Sequence, residues 1–300
     1  MSLFKNYKFH CFISLFVLTI EVVCCFYVCA KSDLLASIFV LIALLCSQYI
    51  INSKLLPMSY RRNVWGPLLG ELDAEKFRSQ FSGKFGDLPS AENVIIECEI
   101  KNDVQRIIDI CTSELNRKHL SKRVKSDYLY FLANIYYFMG NKEKMQEYYA
   151  RFCELYMNPS KRRCMCPRSE ILSNAISGDY ESNIKFWGHG SSHENLYKTL
   201  VRNCDIGLTY YLLQEYDKAE QYFQEAVSIA PDSFYGNVAS KYISAIKTQE
   251  PPEFADIVAH QGFELYNRKT RFLMKLRNPY WLENVLLFFT YAISLLLLLI

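Results

Sequence analysis

Three places in the sequence hold residues whose types and spacing suit chemistry. The first is Cys164-Met165-Cys166, set in "KRRCMCPR". Two thiols beside arginines are candidates for lowered pKa values and raised reactivity. A structural zinc site needs four ligands, usually as two Cys-x2–4-Cys pairs, and no second pair is evident, which favours an inert loop. The second place is "GHGSSHEN", with His189 and His193 four apart. Its glycines argue for a loop, and Ser191 and Glu194 are spaced as a capping box, so a helix start is expected there. The third is Glu21, a carboxylate inside the apolar run "FHCFISLFVLTIEVVCCFYVCA". An acid within lipid is costly and marks either a functional group or a protonated packing residue bonded across to Ser37 or Gln48. The chain has no phosphate-cradling Gly-Lys-Ser/Thr loop, dinucleotide fingerprint or Gly-x-Ser-x-Gly elbow. No catalytic residue, metal or cofactor follows from these motifs, and no enzyme is expected.

The elements that would position such groups come from the distribution of apolar residues. Residues 9–30 and 34–51 are each near the roughly 20 apolar residues that cross a bilayer, and the link "KSD" makes them a hairpin. A third apolar run, "NVLLFFTYAISLLLLLI", reaches Ile300, with Tyr280 and Trp281 at its entrance as interfacial anchors. Lys5, Lys8, Lys54, Arg61, Arg62, Arg268, Lys269, Arg271, Lys275 and Arg277 lie on the side of these runs that would be cytoplasmic. The expected protein is therefore multi-pass in the cell membrane, with its middle region cytoplasmic. The competing reading is a signal peptide cleaved after "VCA", which the length of the run and Glu21 disfavour. The net charge of +3 and the lack of a basic, aromatic stripe argue against a nucleic-acid partner. Five of the 11 cysteines lie in the N-terminal apolar runs, and the rest show no framework spacing, so reduced thiols are expected.

Between the apolar runs the spacing changes to that of helical hairpins. In "NCDIGLTYYLLQEYDKAEQYFQEAVSIAP", Ile206, Gly207 and Tyr210 fall on one helix and Ala219, Phe223 and Ala226 on one face of the next, with Pro231 closing the unit. Small residues at Gly207 and Ala219 allow a close helix crossing, and Phe223 fills the remaining gap. Upstream, in Ser126–Pro159, Leu129, Leu132, Ala133 and Tyr136 precede a turn at Gly140-Asn141, and Met145, Tyr149 and Phe152 follow it. Ser169–Gly188 is a weaker unit with its turn at Gly178-Asp179. A fourth has its turn near Lys101-Asn102; "NVIIECEI" before it is either a strand or, as its period fits better, the first helix of that unit. Turns at 140, 178 and 214 are spaced 38 and 36 apart. This pattern resembles the tetratricopeptide repeat, a helix–turn–helix unit of about 34 residues.

The expected fold is all-α. It is a tetratricopeptide-like helical-hairpin solenoid of about four units, two of them degenerate, flanked by transmembrane helices. Its parts are a transmembrane hairpin at 1–53, a juxtamembrane linker at 54–89, the solenoid at 90–250, a basic juxtamembrane segment at 251–279 and a transmembrane helix at 280–300. In the linker, Trp65, Leu68, Leu69 and Leu72 either lie along lipid headgroups or form ordinary linker with a short helix around Ala74 to Phe81. Asn237–Glu250 is expected as a helix covering the open end, stopped by Pro251-Pro252.

The resemblance implies that the first helices of the units line a concave groove for a protein or peptide segment. By position, its facing residues are Asp127, Tyr130, Asn134, Tyr137, Phe138, Val201, Cys204, Leu208, Tyr211 and Leu212. They carry little charge, so the implied ligand is hydrophobic or helical rather than an acidic tail. The implied function is a membrane-anchored scaffold or adaptor. The alternative is a membrane-embedded part of a transport or assembly complex, in contact with other membrane proteins. In that case Glu21 is the working group and the helices regulate it.

Overall fold

The computed structural model describes residues 61–79, 90–118, 120–156, 166, 168–188 and 195–266. Four times in it the chain reverses through one residue of positive φ: Asn102 (54°), Gly140 (69°), Gly178 (77°) and Gln214 (61°). At each, the next amide donates back to a carbonyl five residues earlier: Asp103 to Cys98 (2.8 Å), Asn141 to Tyr136 (3.0 Å), Asp179 to Asn174 (2.9 Å) and Glu215 to Tyr210 (2.9 Å). This is the bond by which a left-handed residue satisfies the last carbonyls of a helix. The residue after the turn then opens the next helix. Asp103, Asn141 and Asp179 accept from the amides of Arg106, Lys144 and Ser182, satisfying otherwise orphaned donors.

The turns join α2 (Ala91–Ile100) to α3 (Val104–Leu115), α4 (Lys122–Phe138) to α5 (Lys142–Leu155), α6 (Ser169–Ser177) to α7 (Tyr180–Gly188), and α8 (Leu196–Leu212) to α9 (Tyr216–Ile229). All four expected hairpins are present, and the apolar run at 93–100 is helix. A last helix, α10 (Phe234–Thr248), ends on Gln249 at φ 60°. It stands where the first helix of a fifth hairpin would stand. Its partner is missing because Pro251 and Pro252 push the residue before each of them out of the α region. From Pro251 to His260 the chain forms neither helix nor strand. Two further elements precede the hairpins, a π-helical run at Arg61–Gly70 containing Pro67 and the short helix α1 (Ala74–Ser79).

Residues 90–265, with 69–74, form one compact unit. Residues 251–265, assigned from sequence to a basic juxtamembrane segment, thus belong to the helical body. Within it α4 packs on α5, α8 on α9 and α9 on α10, and α3, α7 and α6 link the hairpins; α10 also reaches α2, the first helix of the first hairpin. Phe138 of α4 meets Tyr235 of α10 edge-on at 5.1 Å and Phe234 at 6.3 Å. Ala133, Met145 and Phe152 are buried in one hairpin, and Gly207, Ala219, Phe223 and Ala226 in another, as their spacing predicts. Both carry the same tyrosine pair across the hairpin. Tyr136 stacks on Tyr148 and Tyr210 on Tyr222, each at 5.7 Å, with Lys144 and Lys218 each 5.1 Å from the ring of the first tyrosine.

The expected membrane segments and Glu21 lie outside the described residues, as do Cys164, His189, Ser191, His193 and Glu194. Among the described residues no helix is long and apolar enough to cross a membrane. The helix expected to open at Ser191 opens at Leu196, where the Asn195 side chain accepts from the amide of Lys198.

Candidate partner-binding site

Helix α10 decides the state of the groove. Of the ten residues assigned to it, Tyr130, Asn134, Tyr137, Phe138, Val201, Cys204 and Leu208 are buried, and Asp127, Tyr211 and Leu212 are half-buried. The aromatic start of α10 lies against several of them. Asn134 donates to the Tyr235 hydroxyl (3.5 Å) and accepts from that of Tyr130 (3.4 Å), while the Cys204 thiol points at the Tyr235 carbonyl (3.6 Å). Most of these residues therefore pack the interior. The sequence spacing placed them on the inner face of their helices but did not show that the chain brings its own helix to that face.

Behind this aromatic layer sits a buried polar cluster that was not legible as a site. Glu99 accepts from Tyr197 (2.5 Å) and Tyr235 (2.9 Å), joining α2 to α8 and α10. Burial raises its pKa, against the two phenol hydrogen bonds and the positive charge of Arg168. Asp205 accepts from the Trp187 indole (2.7 Å). Burial pushes its carboxyl up to about 6, opposed by Trp187, Arg168 and Tyr137. The Arg168 guanidinium lies 5.8 Å from the Trp187 ring. Among the described residues, Arg168 Nε, Asp205 Oδ1 and the Tyr137 hydroxyl find no hydrogen-bond partner of ordinary geometry. The one sequence signal was a carboxylate inside the apolar run "NVIIECEI", since a buried acid needs partners.

A pocket of about 290 Å³ remains open beside these layers, where the ends of α4, α6 and α8 converge. Tyr137, Leu208 and Leu212 of the assigned set line it, together with Met145, Ile176 and Tyr242. Lys142, Gln146 and the Gly178 turn supply its polar margin. Glu99, Arg168 and Asp205 do not line it. Among the described residues no group of three or more His, Cys, Asp or Glu is placed to hold a metal ion. Burial pushes the Cys166 thiol up to about 11, outweighing the nearby Arg168, so its arginine neighbour does not make it a ready nucleophile.

Residues 126–157 and residues 204–233 each match the tetratricopeptide repeat family. These are the second and fourth hairpins, the two that share the tyrosine stack. No curated protein and no solved structure matches the chain. Stacked hairpins of this kind are an architecture for protein interaction. The repeats, their turns and their packing agree: the chain carries tetratricopeptide-repeat units at 126–157 and 204–233.

Proposed function

We propose that the chain is a membrane-anchored scaffold that seats an apolar side chain of a protein segment in the pocket between α4, α6 and α8. The observation that carries the reading is that pocket: it is concave and open, and its wall of Tyr137, Leu208, Leu212, Met145 and Ile176 is mostly apolar. Lys142 and Gln146 at the margin offer polar side chains to the backbone of such a segment. The apolar runs at 9–30, 34–51 and 284–300 supply the anchor, and their flanking basic residues put the repeats on the cytoplasmic side.

The test is co-purification in mild detergent with Leu212→Lys and Ile176→Lys combined. Both side chains reach the surface, so the fold is expected to survive. The bound partner should be lost while the far-ultraviolet circular dichroism stays unchanged. Retention of the partner by the variant eliminates the pocket. Digestion of the repeats by protease added outside intact cells eliminates the orientation.

A further inference from the structure

We propose that the run Pro251–His260, which forms neither helix nor strand, occupies in cis a track that takes a peptide segment from a partner. That peptide would carry an aromatic residue, a carboxylate two positions on and an imidazole or cation four positions beyond that. The inference concerns a surface other than the inner pocket and stands independently of it.

The helices hold this run mainly by its backbone. Lys241 donates to the carbonyl of Glu253 (2.8 Å), and Tyr136 (3.4 Å) and Lys144 (3.5 Å) to that of Ile257. Gln105 donates to the carbonyl of Val258 (2.9 Å), and Asp109 accepts from the amide of His260 (2.7 Å). Side chains from α3, α4, α5 and α10 thus read carbonyls and an amide that any extended peptide presents. Three side chains of the run add specificity. Phe254 packs against Tyr242 (6.0 Å) with Lys241 over its ring (4.7 Å), Asp256 pairs with Lys144 (2.6 Å), and the His260 imidazole meets Asp109 (2.8 Å). The spacing of these three sets the chemistry required of a partner.

The seating is shallow. Asp256, Val258 and His260 are 72%, 70% and 68% exposed, whereas the residues that α10 covers in the inner groove are nearly sealed. A cleft of about 250 Å³ stays open between Phe254–Asp256 and the wall of Tyr136, Met139 and Lys144. The Lys144–Asp256 pair is largely open to solvent and contributes little on its own, whereas Asp109, which receives His260, is buried. The run is held by backbone hydrogen bonds, by the three anchors Phe254, Asp256 and His260 and by the half-buried Ile257 and Ala259, with an open cleft at Phe254–Asp256, so a competitor must match that pattern to replace it.

The experiment uses the full chain in mild detergent and a fluorescent peptide of residues Pro251–Leu265. In the wild type, excess unlabelled peptide should accelerate hydrogen exchange of the His260 amide, bonded to Asp109, at least tenfold. In the variant Phe254→Ala with Asp256→Lys, that exchange should already be fast, and the labelled peptide should bind at least tenfold more tightly than to the wild type. Adding Lys144→Glu to that variant should abolish binding, whereas Leu212→Lys should leave it unchanged, which separates this track from the inner pocket. Slow exchange in the variant, no exchange response in the wild type, or equal binding of a scrambled peptide each overturns the proposal.

Discussion

Gly207 lies directly under the ring of Phe223: a β-carbon built on the glycine would stand 2.8 Å from two of the ring carbons. The small residue on α8 and the large one on α9 are a matched pair. Gly207→Ala gains about 1 kcal/mol of helix propensity but forces a clash in a packed core, which costs about 1–3 kcal/mol. The expected outcome is a net fall in the chemical-denaturation midpoint. Phe223→Leu in the same chain should absorb part of the clash, so the double variant should be more stable than the sum of the two single changes by at least about 0.5 kcal/mol. Strict additivity would show that the two residues are not coupled.

The four turns offer a test with opposite signs at equivalent positions. Gln214 adopts φ 61° with a side chain that makes this conformation unfavourable. Gln214→Gly should raise stability by about 1 kcal/mol. A β-carbon on Gly178 meets no atom within 4 Å, so Gly178→Ala changes only the backbone preference, and φ 77° should make it cost about 1 kcal/mol. Thermal midpoints of the two variants on opposite sides of the wild type would confirm the shared turn geometry. A fall for both would show that the Gln214 side chain contributes more than its strain.

These turns also show what was readable beforehand. Gly140-Asn141, Gly178-Asp179 and Lys101-Asn102 announced themselves because a left-handed residue followed by a capping side chain is a local requirement. The inner face of each helix was readable for the same reason, from the spacing of Gly207, Ala219, Phe223 and Ala226. What covers that face was not. Tyr235 meets Glu99 across 136 residues and Asp109 meets His260 across 151, and no local pattern encodes pairings of that range. The prolines at 251 and 252 marked where the last helix stops, but not that the following residues lie back across α3, α4 and α5.

Glu99 is held by two phenols from different helices, and removing either leaves a buried carboxylate oxygen short of its donor. Tyr235→Phe also removes the acceptor used by Asn134. It should cost about 1–3 kcal/mol, the usual cost of an unsatisfied buried group. Tyr197→Phe should behave alike for Glu99 while leaving Asn134 paired, and so should cost less. Denaturation midpoints decide the order. If Tyr197→Phe proves the more damaging, the link from α2 to α8 matters more than the one from α2 through α10 to Asn134.

Asp205 gives the structure an unusual dependence on pH. Its carboxyl titrates near 6 in the folded protein and near 4 when unfolded, so between those values the folded state binds more protons than the unfolded one. Stability from this group therefore rises as pH falls through 6 toward 4 and is lost as pH climbs back, the reverse of a salt-bridged aspartate. Asp127, half-buried and also raised to about 6 by burial and then by Glu92, acts in the same direction, but solvent screens it more. In Asp205→Asn the burial penalty on the charge disappears, so the variant should gain on the wild type as pH rises from 5 to 7.5. Denaturation midpoints of both proteins at pH 5, 6 and 7.5 measure this directly. A gap that stays constant would mean that Trp187 and Arg168 compensate the buried charge fully, and a gap that moves against the variant would mean that they overcompensate it.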